Sequence, residues 1–164
     1  MGFIKNWTLK KTFSQFLTKE GLDKLESGEL GQSSNVLKES NLEFVFISVN
    51  GISAQEISNR MGLIADLALE HNGFVDSMVS SIVLVIYGIF PTQSGKSRRT
   101  LIEALSNKFG SEVKVVHGKT VGHYGNLGGP QRMSFSFIIL EFLDLITQLA
   151  AIDFGVIKEI NKAG

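Results

Sequence analysis

The chain has 164 residues, of which 43% are hydrophobic and 20% charged, and this balance favours one compact domain with a buried core. Its 16 basic and 16 acidic residues cancel, so bulk charge gives no indication of a nucleic-acid partner or of an anionic membrane. The sequence contains no cysteine, which excludes disulfides and cysteine-ligated metals and fits a cytoplasmic location.

The first 41 residues are interpreted as an N-terminal arm, a short helix and a linker. Thr18 is placed to cap the helix, and the Gly- and Ser-rich stretch Ser27–Asn35 is typical of a linker. The domain itself is therefore expected to span residues 42–164. The longest apolar run, Ile82–Phe90, is too short for a bilayer, which takes about 20 residues, so no transmembrane segment is expected.

Strand and helix patterns then alternate. Leu42–Asn50 is apolar on both faces, which indicates a strand buried in the middle of a sheet. A capping box, "SAQE", begins at Ser53 and predicts the start of a helix. Two further strands lie within Gly73–Gly88. They are joined at Ser80-Ser81, although such tight turns usually contain Gly, Asn or Asp.

The second half of the chain repeats these patterns. After Pro91, "GKSRRTLIEALSNKFG" predicts a helix, "EVKVVHG" a strand, "MSFSFIIL" a half-buried strand and "EFLDLITQLAAI" a last helix. The resulting order is β-α-β-β-α-β-β-α. Because helices are mixed with hairpins, this order predicts an α+β fold, an antiparallel-rich sheet with its helices mainly on one face.

Short motifs alone give no active site. "GKS" at Gly95 lies before a helix, but six residues separate it from Gly88, whereas a phosphate-binding P-loop has four between its glycines. His117 and His123 have no acidic residue between them that could complete a metal site. Neither serine of the hairpin turn has the sequence context of a nucleophile.

Three segments in order carry a resemblance to a known family. They are "VFISVNGIS" (Val45–Ser53), "GFVDSMVSSIVLVIYGIFP" (Gly73–Pro91) and "VKVVHGKTVGHYGNLGGPQRMSFSFI" (Val113–Ile138). Together they resemble the catalytic domain of the class III adenylyl and guanylyl cyclases, which reads like "LFADIRGFT", "GGFVDKFVGDAVMAVFG" and "IGIHTGEVVAGNVGSPERMDYTVIG". The resemblance covers about Phe13–Leu149 and implies the ferredoxin-like βαββαβ core of that family.

The resemblance also implies a mechanism for the family. Two such domains pair head-to-tail and form active sites at their interface, where two aspartates hold the metal ions. A lysine with an acidic or threonine partner selects the purine, and an asparagine and an arginine orient the ribose and stabilise the transition state. This is two-metal chemistry, which needs anionic oxygen ligands.

The sequence departs from that pattern at almost all of these positions. Ser48 and Ser81 stand where the resemblance expects the two metal-binding aspartates, and Ser77 stands where it expects the purine-selecting lysine. A neutral hydroxyl does not replace a carboxylate as a ligand of Mg²⁺, because the site loses most of its negative charge. The resemblance therefore predicts neither a metal site nor a bound cofactor here.

The last helix carries the remaining positions of the resemblance. Glu141 aligns with the second purine-selecting position, Asp144 with the asparagine and Gln148 with the arginine. A glutamine lacks the charge and the fork of an arginine. These three positions, with Ser77, define a degenerate nucleotide cleft.

These departures predict a cyclase-like domain that has lost catalysis and acts as a dimerisation or regulatory module, a pseudoenzyme. Its expected partner is a second copy or another cyclase-type domain, which it could inhibit, and a purine nucleotide could still bind without metal. The alternative is a divergent purine-nucleotide cyclase or nucleotide-binding enzyme that uses Asp76, Glu141 and Asp144, the acidic residues nearest the expected cleft.

Overall fold

The computed structural model describes residues 37–89, 96–128 and 135–161. The predicted N-terminal helix and linker, Pro91 and Met133 lie outside the described residues. Within these ranges the strands and helices are, in chain order, β1 (Lys38–Val49), α1 (Ala54–Glu70), β2 (Phe74–Val79), β3 (Ile82–Tyr87), α2 (Arg98–Phe109), β4 (Val113–Asn126), β5 (Phe135–Ile138), α3 (Phe142–Ala151) and β6 (Ile157–Glu159). A 3₁₀ turn at Gly110–Glu112 lies between α2 and β4.

The strands form one sheet in the order β2-β3-β1-β4-β5, in which every neighbouring pair is antiparallel. The first four strands thus have the order of a ferredoxin-like βαββαβ core. The predicted α+β class and its antiparallel-rich sheet are confirmed. Within the described residues, no helix has the length and apolar character needed to cross a membrane.

The central strand β1 is buried on both faces, as its apolar pattern predicts. Phe44 and Phe46 are fully buried on one face, and Val45 and Ile47 are fully buried on the other. Because successive side chains of a strand point to opposite faces, a strand covered on both sides must be apolar at every position. β1 therefore holds together two separate hydrophobic clusters.

Each face of the sheet has its own helices. α1 and α2 lie on the same face, where Ile64 and Leu101 are fully buried against the odd-numbered residues of β1. α3 packs on the opposite face, where Leu145 and Leu149 join the cluster of Phe44 and the other even-numbered residues of β1. Two of the three described helices thus share one face, in line with the prediction that the helices lie mainly on one side.

The capping box fixes the beginning of α1 next to the end of β1. Ser53 Oγ accepts a hydrogen bond from the Glu56 amide at 3.1 Å. The Glu56 carboxylate reaches back to the amide of Ile52 at 2.9 Å. Both bonds satisfy amides that a helix cannot pair internally, and they place the first turn of α1 beside the β2–β3 hairpin.

The short strand β6 has no counterpart in the sequence-based prediction. It pairs in parallel with Val115–His117 of β4, and the Ile160 amide donates to the His117 carbonyl at 2.8 Å. A Cβ at Gly118 would lie 1.6 Å from the Ile160 carbonyl oxygen, so this close approach requires a glycine. Three residues are too few for a period-2 pattern to be recognised.

Candidate functional site

The β2–β3 hairpin ends beside the last residues of β1. Ser48 pairs with Ile82 across the sheet, and the Val49 amide donates to the Ser81 carbonyl at 2.8 Å. The backbones that carry Ser48 and Ser81 are therefore adjacent, as expected. Their side chains do not converge, because Ser48 lies on the same sheet face as Phe46, whereas Ser81 lines a cleft against α1.

The turn itself is built from the two serines. Ser80 has a φ of 55°, in the left-handed region that glycine and asparagine adopt most easily. A serine in this conformation is under strain, which the paired strands on either side hold in place. Ser80 is exposed and Ser81 half-buried, and both residues line the cleft between this hairpin and α1.

The cleft between this hairpin and α1, here called the serine cleft, has a volume of about 590 Å³. The described residues that line it are uncharged: Ala54, Ile57, Ser58, Met61, Gly62, Met78, Ser80 and Ser81. Among the residues that the structure describes, no group of three or more His, Asp or Glu side chains is placed to hold a metal ion.

On the opposite face of the hairpin, a β-bulge turns two consecutive polar side chains the same way. Val75 pairs with Val85 and Ser77 with Leu84, so Asp76 is the extra residue. Because the bulge interrupts the alternation of the strand, Asp76 and Ser77 both line a second cavity on this face.

The side chains of β2 and β5 meet although three strands separate them in the sheet. Ser136 Oγ donates to Asp76 Oδ1 at 2.5 Å, and the rings of Phe74 and Phe135 lie 5.9 Å apart in an edge-to-face arrangement. In a flat sheet four strand spacings would separate these strands by about 19 Å. The sheet is therefore strongly curled around the cluster that contains α3.

The gap between β2 and β5, here called the edge cavity, has a volume of about 440 Å³. Most of its lining is apolar, and Asp76 is the charged member: the residues are Asp76, Ser77, Val79, Leu84, Ser136, Phe137, Ile138, Ile139 and Phe142. Burial raises the pKa of the Asp76 carboxyl above its ordinary value, and the hydroxyls of Ser136 and Ser77 oppose this by hydrogen bonding to it.

Of the three predicted positions of the last helix, two lie at its beginning and Gln148 lies in its second half. Glu141 directly precedes α3, and one of its carboxylate oxygens is buried without a hydrogen-bond partner among the described residues. Asp144 and Gln148 are one helical turn apart, and Gln148 Nε2 donates to Asp144 Oδ2 at 3.0 Å. Ser77 and Phe142 both line the edge cavity, so β2 and the start of α3 lie close together, but none of the three α3 positions is among its lining residues.

The sequence patterns do not indicate a charged network on the face of the sheet that carries α1 and α2. Arg98 of α2 has a side chain that is only 11% exposed, and its Nε donates to Glu43 Oε1 at 2.9 Å. Its Nη1 donates to His117 Nδ1 at 2.8 Å, so this ring nitrogen carries no proton. Burial and the neighbouring guanidinium lower the pKa of His117. Because these residues are distant in the sequence, spacing could not have linked them.

Comparisons with solved structures identify the fold. The chain is similar to the adenylyl cyclase CyaB from P. aeruginosa, with a TM-score of 0.53 and 15% identity over 74% of this chain and 77% of that chain. It is similar to the guanylyl cyclase Cya2, with a TM-score of 0.50 and 12% identity over 74% and 75%. A bacterial light-regulated adenylyl cyclase gives a TM-score of 0.62 and 11% identity over 94% of this chain and 53% of that chain.

The chain therefore has the fold of the adenylyl and guanylyl cyclase domains. At these identities the likeness concerns the fold and does not extend to activity. No protein-family model matches the chain, and no curated protein matches it.

Proposed function

We propose that this chain is a cyclase-like domain without catalytic activity that acts as a dimerisation or regulatory module in signalling. The cyclase-type fold supports the description as a cyclase-like domain. The observation that carries the loss of catalysis is the chemistry of the serine cleft, which contains Ser81, one of the two positions where the resemblance expects a metal-binding aspartate, and whose described lining residues are uncharged.

The residues of this cleft do not fit a pair of catalytic metal ions. Mg²⁺ in nucleotide-processing sites is held by carboxylates together with phosphate oxygens, because the negative charge compensates the loss of water ligands. Ser81 offers a neutral hydroxyl, and the side chain of Ser48 lies on the other face of the sheet. We therefore expect no metal-dependent catalysis at this place.

The positions expected to stabilise a transition state are also unsuited to it. Gln148 takes the place of an arginine and donates to Asp144 within the same helix. An amide dipole is a much weaker partner for a developing oxyanion than a guanidinium. A carboxylate at position 144 would repel a triphosphate that approached this side of α3.

The surface around α3 supports a docking role. Leu140 and Leu143 are 88% and 77% exposed at the start of this helix. Ile138, which precedes them, and Val79 of the hairpin are also exposed. These two residues lie together at the edge cavity. Apolar side chains grouped in this way are typical of a protein interaction surface. We infer that a second cyclase-type domain, either another copy or a different chain, covers them.

Sedimentation velocity tests the docking role. The wild type alone, or mixed with an active cyclase domain, should sediment as a dimer, and the Leu140→Gln/Leu143→Gln double variant should not. Ile52→Gln is the matched control, because Ile52 is 97% exposed and lies at the start of α1, which packs on the other face of the sheet from α3. A chain that stays monomeric under both conditions would contradict the proposal.

A second candidate is a divergent nucleotide-binding enzyme. Glu141, with its unpaired buried oxygen, and Asp76, in the edge cavity, are the observations that favour it. Calorimetry with ATP and GTP analogues separates the candidates, because tight binding that depends on Mg²⁺ is expected of the enzyme and not of the module.

A further inference from the structure

The edge cavity has the size and composition of a small-molecule site. Its volume of about 440 Å³ falls in the range of known ligand pockets, roughly 300–1,000 Å³. Phe137, Ile139 and Phe142 supply apolar and aromatic surface on one side, and Leu84 and Val79 supply it on the other. A mostly apolar ligand would therefore lose water on both sides when it entered.

Among the described residues, Asp76 gives this cavity its one anionic group. The bulge in β2 turns the carboxylate inward, and the hydroxyls of Ser136 and Ser77 hold it by hydrogen bonds. A carboxylate has about four acceptor positions on its two oxygens, so these two bonds leave room for a further donor. The group is therefore oriented before any ligand binds, which lowers the entropy lost on binding.

The charge of the cavity selects the ligand. Among the described residues that line it there is no Lys, Arg or His, so these residues offer no counter-charge to a phosphate or a carboxylate. We propose that the edge cavity binds a small aromatic or aliphatic amine, whose ammonium group donates to the Asp76 carboxylate while its apolar part packs against Phe137 and Phe142. This site goes beyond the proposed module function and does not depend on whether the domain catalyses a reaction.

Proton linkage follows from the same contact. Because burial raises the pKa of Asp76 in the free protein, a bound ammonium must favour the ionised carboxylate and lower that pKa again. Amine binding should therefore release protons, and the affinity should rise with pH from about 4 towards 7, while the amine stays protonated.

Calorimetry with three probes of similar shape tests the proposal: 2-phenylethylamine, 2-phenylethanol and 3-phenylpropanoate. The amine should bind about tenfold or more tightly than the alcohol, and the carboxylate most weakly. In Asp76→Asn the amine should fall to the affinity of the alcohol, while the alcohol itself should bind as in the wild type, which shows that the cavity is intact.

Asp66→Asn is the matched control, because it removes the same charge from an exposed position of α1, on the other face of the sheet, and should leave all three affinities unchanged. Equal affinities for the three probes, an amine preference that survives Asp76→Asn, or no binding of any probe would each overturn the proposal.

Discussion

Asp76 of β2 accepts a hydrogen bond from Ser136 of β5, and this one contact joins the two ends of a five-stranded antiparallel path. The pair lies 60 residues apart in the sequence. It closes one side of the edge cavity and holds the sheet curled around α3. Its removal should therefore affect stability more than the loss of an ordinary surface hydrogen bond.

Ser136→Ala tests this contact. The substitution leaves a largely buried carboxylate without its partner from the other strand, and we expect the free energy of unfolding to fall by about 1–3 kcal/mol. Ser106→Ala, at an exposed position of α2, should change it by less than about 0.5 kcal/mol. Urea unfolding of both variants gives the comparison, and equal stabilities would show that the contact is unimportant.

The pH dependence of stability should carry the signature of Asp76. Burial raises the pKa of this carboxyl above 3.8, so the folded protein keeps a proton that the unfolded chain has already lost. Its favourable contribution is complete below about pH 3.8 and is lost as the pH rises through the folded-state pKa. The unfolding free energy of the wild type, relative to Asp76→Asn, should decrease from pH 4 to pH 7. A difference that does not change with pH would refute this assignment.

Two neighbouring arginines allow a direct comparison of buried and exposed charge. Arg98→Met removes the partner of Glu43 and His117 and should lower the unfolding free energy by about 1–3 kcal/mol. Arg99→Met should have almost no effect, because the Arg99 side chain is 88% exposed and its pair with Glu103 is solvated. Thermal unfolding of the two variants measures the difference, and similar losses would mean that the network does not stabilise the fold.

The hairpin turn offers a second matched pair. Ser80→Gly should stabilise the protein by about 0.5–1 kcal/mol, because glycine adopts the left-handed φ of 55° without strain. Ser81→Gly should destabilise it by a similar amount, since Ser81 has no such φ and glycine only adds freedom to the unfolded chain. Chemical unfolding distinguishes the two variants, and a loss of stability in Ser80→Gly would argue against a strained turn.

Much of the fold could be predicted because its signals are local. The double-sided burial of β1, the capping box before α1 and the two-residue turn at Ser80-Ser81 each follow from adjacent residues. The curling of the sheet could not, because it depends on contacts such as that of Phe74 with Phe135. The bulge at Asp76 was equally hidden, since a strand pattern does not reveal an extra residue.

The candidate site was predictable only in part. The resemblance led to Ser48, Ser77 and Ser81, and the structure adds which cavity each of the last two lines. It also shows that the Ser48 side chain lies on the other face of the sheet from the serine cleft, because strand alternation fixes its direction. The sequence marks Asp76 only as an acidic residue near the expected cleft, and nothing in it indicates the hydrogen bond to Ser136 across the sheet.

A cyclase assay on the purified chain with ATP or GTP and Mn²⁺, with an active cyclase as the positive control, tests most directly whether the domain lacks catalysis. We expect no cyclic nucleotide above the buffer background, because the described residues of the serine cleft include no carboxylate and the arginine position holds a glutamine. Glu141→Gln and Asp144→Asn are assayed in parallel. Turnover by the wild type that disappears in either variant would instead show a divergent but active cyclase.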